Sequence, residues 1–295
     1  MAALAGGDAR IAQLCVFGQR LLDLDAEDFG TDAVPDALRE RAVACRMPQA
    51  ATEPDRGALG SLRPAYSLLL EVIDARWRRR EMAALVATVH ITSEYAPLLA
   101  WEPVLGHAGD PALLAMAVGG RASRWGHLDA DPHECPHSKA DRSAAKHVLH
   151  VAHEPPTGWQ SYLDRQHSNT AHALAICAAE CPHPCSVVTR LSTEDLQRVT
   201  AGCRLALAYA DSAIVRLRHS APVGHGFGVP SADEVTEAWR RTREGLTRLD
   251  RAVLAEDGFP LPGLPGLFSA LARRPVAAGT LLADTADAIV AALDG

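Results

Sequence analysis

Glu81–Trp101 reads EMAALVATVHITSEYAPLLAW, and this stretch decides the fold. From Met82 to Val89 it carries no charge, so a helix formed there can be covered on most of its sides. Pro97 lacks the amide that a continuing helix needs and is expected to end it. His90 lies in the middle. At 3.6 residues per turn it shares a face with Ala83, Val86, Ala87 and Glu94, which puts small side chains one turn before it and a carboxylate one turn after. The pattern reads as a buried core helix whose histidine is satisfied by Glu94 or by a backbone carbonyl. It also leaves room for a ligand beside the ring.

Working outward, composition favours helices along the rest of the chain. A length of 295 residues allows one large domain or two modest ones, and 48% hydrophobic residues give ample material for a core. Alanine and leucine dominate, aromatics make only 5%, and the β-branched runs that mark strands are scarce, so an all-α fold is expected. The net charge of -7 argues against a nucleic-acid partner, because polyphosphate binding is driven by clustered Lys and Arg. The one basic run, Arg76 with Arg78 to Arg80, reads as a solvated face. No apolar stretch approaches the ~20 residues of a membrane span, and MAALAGGDAR lacks the form of a signal peptide. Seven cysteines, an odd number, suit a reducing compartment. A cytoplasmic protein without a membrane is therefore expected, with the oligomeric state left open.

Before the central stretch, periodicity predicts helices over 8–26 and 35–46, a linker over 49–60, and a helix over 62–77 that runs with little break into the His90 helix. After it, Asp110-Pro111 has the acidic cap and first-turn proline of a helix start. The segment 127–185 then holds nine of the thirteen histidines and four of the seven cysteines, an enrichment that raises the question of a metal. Glu-Cys-Pro-His occurs at 134–137 and again at 180–183. Cys135, His137, Cys181 and either His183 or Cys185 could make a tetrahedral zinc site, although Cys-Pro-His leaves only a rigid proline where zinc knuckles space their ligands more widely. His147, His150 and His153 read as an exposed face. Trp159 to Cys181 reads as a helix whose polar first half turns apolar, with His172 at the change.

Ser192 to His219 is the longest helix in this reading. Ser192 caps it with Asp195 three later, and Leu196, Val199, Cys203, Leu207, Ala210, Ile214 and Leu217 form its core stripe. A second face of mostly small residues, from Ala201 through Ser212 and Val215, ends in His219. A charged amphipathic helix over 231–254, a proline-rich turn over 258–266 and a closing helix over 280–293 complete the chain.

Two of these segments carry a resemblance. His90-Ile91-Thr92-Ser93-Glu94 resembles the H-Q-T-Y-E segment of the tryptophan 2,3-dioxygenase superfamily, helical haem proteins whose histidine here faces the substrate. Arg216-Leu217-Arg218-His219 resembles the family's R-x-R-H, which carries the proximal histidine, and the glycine loop Gly224-His225-Gly226-Phe227-Gly228 follows it as in the family. The family's F-R-x-x-E arginine is not reproduced, and Arg121 and Arg124 are the candidates for gripping a substrate carboxylate.

The resemblance implies one helical domain of the dioxygenase type holding haem b, and is nearest the haem-dependent tyrosine hydroxylases that convert L-tyrosine to L-DOPA with hydrogen peroxide in natural-product pathways. In those terms His219 is the iron ligand, with His172 and His183 as alternatives, and Arg216 and Gly226 lie at the cofactor. His90 is the catalytic residue that takes the phenol proton, and Glu94 is beside the substrate, a small aromatic amino acid. Val223 stands where some relatives carry a haem-linked cysteine. Other readings are a dioxygenase of tryptophan or indole, and a zinc-stabilised helical partner protein without catalysis. A di-iron oxygenase would need repeated E-x-x-H pairs facing a core, which this sequence does not show.

Overall fold

The computed structural model describes residues 9–30, 34–111, 113–114, 158–181, 184, 186–220 and 228–294. Among these residues every regular element is helical, as alanine and leucine content predicts. In chain order the helices are α1 (Ala9–Asp23), α2 (Asp36–Cys45), the single turn α3 (Gly57–Gly60), α4 (Arg63–Arg78), α5 (Met82–Leu105), α6 (Trp159–Ala179), the short α7 (Ser186–Thr189), α8 (Thr193–Ala210), α9 (Ala213–Arg216), α10 (Ala232–Leu246), α11 (Leu264–Ala272) and α12 (Leu281–Asp294). Turns of 3-10 helix lie at Leu217–Ser220 and Arg251–Leu254.

The central stretch is the axis of the main core. Helix α5 is enclosed by α4, α6, α8 and α11, and buries Leu85, Val86, Val89, Leu98, Leu99 and Trp101. It does not stop at Pro97 as expected, but continues through Pro97 and Pro103 until Gly106 takes a left-handed φ of 76°. An interior proline costs about 3 kcal/mol. Beyond it, however, Leu98, Leu99 and Trp101 are fully buried, and each large apolar side chain contributes about 1.5–3 kcal/mol on burial. Packing therefore outweighs the local penalty. The Tyr66 hydroxyl donates to the Thr92 carbonyl at 2.6 Å, so a carbonyl of the turn before the proline has a partner from α4.

At 24 residues α5 is also long and apolar enough to cross a membrane, contrary to the expectation that no stretch reaches that length. Its enclosure by other helices identifies it as a core helix.

Two other boundaries differ from expectation. A turn separates α4 from α5, where Arg80 adopts φ 60° and the Glu81 amide bonds back to the Arg76 carbonyl at 2.9 Å. The long helix expected over 192–219 breaks at Asp211–Ser212. The Ile214 amide, at the start of the new helix, donates to Thr242 Oγ1 of α10 at 3.0 Å, a bond that only the folded arrangement supplies. Ser192 does cap α8, accepting from the Asp195 amide at 3.1 Å.

Helices α8 and α5 approach closely where Gly202 faces Ala100. A Cβ on Gly202 would stand 2.7 Å from that of Ala100, so only glycine permits this crossing.

A second cluster of buried residues joins α1, α2, α4 and α12 through Leu14, Phe17, Leu21, Leu38, Val72 and Leu281. Helix α4 serves both clusters, with Leu70 and Ile73 on the α5 side and Leu68 and Val72 on the other. The buried carboxylate of Glu71 accepts the Leu282 and Ala283 amides at 2.9 and 3.0 Å, placing a negative charge at the positive end of α12.

Candidate functional site

His90, Ser93, Glu94 and Pro97 recur at i, i+3, i+4 and i+7, so they share one face of α5. That face walls a pocket of about 240 Å³. The opposite wall comes from His172 of α6, Leu207 and Ala210 of α8, and Val215 of α9. The sequence placed Leu207 and Ala210 on the core stripe. The break at Asp211–Ser212 instead leaves them at the pocket, while Val199, Cys203 and Ile214 stay in the core as expected.

The His90 ring stands beside a carboxylate. Nε2 lies 3.1 Å from Glu94 Oε1. Nε2 faces the carboxylate, which favours the tautomer with its hydrogen there and the lone pair on Nδ1. Nδ1 is buried and has no hydrogen-bond partner among the described residues. An unsatisfied buried acceptor costs about 1–3 kcal/mol and calls for a partner. Within the same string, Ser93 Oγ donates to the His90 carbonyl at 2.7 Å. Thr92 Oγ1 meets the Tyr209 hydroxyl at 2.8 Å, tying α5 to α8 in the core away from the pocket. Burial raises the Tyr66 and Tyr209 phenols, so both remain neutral pins.

The other candidate residues divide into three groups. His172 is exposed yet shares the His90 pocket, two histidines from distant parts of the chain brought to one place. Arg216 is exposed and paired with Asp211, so its charge is spent on its own turn. His219 lies on the 3-10 turn Leu217–Ser220, not at the end of a long helix, and that turn packs against α5. The side chain of His219 and all of Arg121, Arg124, His183, Gly226, Cys135, His137 and Cys185 lie outside the described residues. Among the described residues no three His, Cys, Asp or Glu side chains converge as a metal site.

A second group of histidines escaped the sequence reading. His167 is sealed at 1% exposure, with Nε2 donating to the Ala108 carbonyl at 2.8 Å. His107 is buried beside it, its Nδ1 accepting the Asp110 amide at 2.9 Å. The buried Asp110 carboxylate receives Arg56 Nε and Nη2 at 2.7 and 3.0 Å. Burial lowers both imidazoles, His167 to about 4, because the charged ring would lose its hydration there. This group ties the end of α5 to α3 and α6. The signal was present in the sequence, since Leu163, His167, Thr170, Ala171 and Leu174 recur at helical spacing and all are buried.

The sequence matches no family model, and comparisons with curated proteins and with solved structures return no match.

Proposed function

We propose that this chain is an oxidoreductase of small phenolic amino acids, L-tyrosine first, and that the reaction takes place at the His90 pocket. The observation that carries the reading is the His90 ring itself. Glu94 Oε1 stands 3.1 Å from Nε2, and Nδ1 is buried without a partner among the described residues, where the hydroxyl of a bound phenol would satisfy it. A phenol ionises near ~10, so an adjacent imidazole that accepts its proton supplies general-base help. Net hydroxylation by hydrogen peroxide adds one oxygen to the ring and releases water. The free thiols of Cys15, Cys45 and Cys203 accord with the reducing cytoplasm proposed for it.

The resemblance supplies haem b as the cofactor of this reading. The space within the described walls does not fit that group. At about 240 Å³ it falls below the roughly 300–1,000 Å³ of sites for drug-sized ligands, and the turn carrying His219 packs directly on the helix of His90. Seating haem between the two would require that turn to move off α5, so no step is assigned to iron here. His172 faces the His90 pocket already and is the alternative ligand to test.

Titration of the purified protein with haemin, followed by absorbance, tests the cofactor. A stoichiometric Soret band that His219→Ala abolishes supports the proximal assignment, and a band lost only in His172→Ala moves the ligand there. Incubation with L-tyrosine and peroxide, with L-DOPA read by chromatography, then tests the chemistry. No Soret band under any haem supply, together with no L-DOPA, would sink the reading. N-formylkynurenine formed from L-tryptophan and oxygen would replace it with a dioxygenase.

A further inference from the structure

A second and larger pocket, of about 340 Å³, lies on the other side of Glu94 between the loop that follows α1 and helices α2, α3, α4, α5 and α6. Its volume is in the range of sites for small organic molecules. Leu62, Leu69, Ile91 and Leu163 give it an apolar body, and the rings of Phe29, Tyr66 and Tyr95 stand among them. Among the described residues its charged lining is all acidic, Asp25, Glu27 and Glu94, with no lysine, arginine or histidine.

We propose that this pocket is a binding site for an organic ammonium ion with a small apolar body. Three independent properties select that class. First, the acidic residues are only partly balanced. Arg20 Nε lies 3.6 Å from Asp25 Oδ2 and His90 holds Glu94, while Glu27 is exposed and has no ion-pair partner among the described residues. A cation entering the pocket is attracted and an anion repelled. Second, aromatic faces attract cations through their quadrupole. Of the three rings Tyr95 is the one with exposed surface, while Phe29 and Tyr66 are sealed behind the lining, the Tyr66 hydroxyl on the Thr92 carbonyl. Third, Leu24 to Glu27 directly follow the C-terminus of α1, the negative end of that helix.

Glu94 stands in the wall of both pockets. An ammonium ion here and the His90 ring therefore draw on one carboxylate, and removing the ring leaves that carboxylate to the cation. The site needs neither haem nor turnover and stands apart from the hydroxylase proposal.

Calorimetric titration of the full chain with phenethylammonium, its neutral counterpart 2-phenylethanol and the anion 3-phenylpropionate tests the site. Phenethylammonium is expected to bind at least ten times more tightly than the alcohol, with the anion below detection and affinity falling as salt rises. Glu27→Gln, an exposed change that leaves the fold intact, should weaken the ammonium several-fold. Ala65→Trp, checked by far-UV circular dichroism, fills the pocket and should abolish binding. His90→Ala should bind phenethylammonium as well as wild type or better. Equal affinity for amine and alcohol, no binding by wild type, or loss of binding in His90→Ala overturns the proposal, the last by placing the ligand in the other pocket.

Discussion

His90 and His167 begin from the same chemistry and end in opposite roles. Each directs Nε2 at an oxygen, and each keeps a buried Nδ1 without a partner among the described residues. The difference lies in what surrounds the ring. His90 faces a half-exposed carboxylate and lines a pocket, whereas His167 donates to a backbone carbonyl inside a closed core. A histidine in an apolar helix is thus not a site by virtue of burial. The accessible pocket distinguishes the two.

The comparison can be broken most directly by deleting the His90 ring. Under the proposed hydroxylation, His90→Ala is expected to slow L-DOPA formation by about 10² to 10⁴-fold, the usual range for general acid–base help, with the far-UV spectrum unchanged. An equal rate in both proteins would remove His90 from the mechanism.

The closed histidine is expected to show itself in pH. The folded ring titrates at about 4 and the unfolded one at 6.5, so between these values the unfolded chain binds the extra proton. Stability from this group is complete above pH 6.5 and lost as pH falls towards 4, by about 3 kcal/mol in all. Urea midpoints of wild type and His167→Gln across that window check it, and a variant with the same slope would assign the loss to other groups.

At fixed neutral pH, His167→Ala leaves the Ala108 carbonyl without its donor and should lower stability by about 2 kcal/mol, with catalysis by the remaining folded protein unaltered. The smallest effect sharpens the role of the partner. Glu94→Gln keeps a hydrogen-bond acceptor but loses its charge, a difference of about 1 kcal/mol, so the rate should fall about fivefold. A fall as large as that of His90→Ala would make the carboxylate itself the base.

Much of the helical plan was legible because an apolar stripe declares its own period. Bounds for α1, α2 and α6 fall close to the pattern, and the Ser192 cap is where local chemistry places it. What was not legible is what distant residues decide. Pro97 is held in a helix by the burial of Leu98 to Trp101, and the kink after Ala210 is held by Thr242 from α10. Of the site, the pairing of His90 with Glu94 could be read from their spacing of four. The meeting of His90 with His172 could not, because nothing in either segment encodes which helix will lie across the pocket.

Helix α1 has α12 as its main partner, and the two carry opposite ends of the sequence. At synthesis rates of about 5–20 residues per second, on the order of ten seconds to a minute separates the emergence of Asp23 from that of Leu281. Throughout that interval the Leu14, Phe17 and Leu21 stripe waits without the helix that covers it. Until Leu281 emerges α1 therefore shows an apolar face without its main partner, which makes it a natural handle for a holdase on the ribosome and a place where a chain stalled before Leu281 would aggregate.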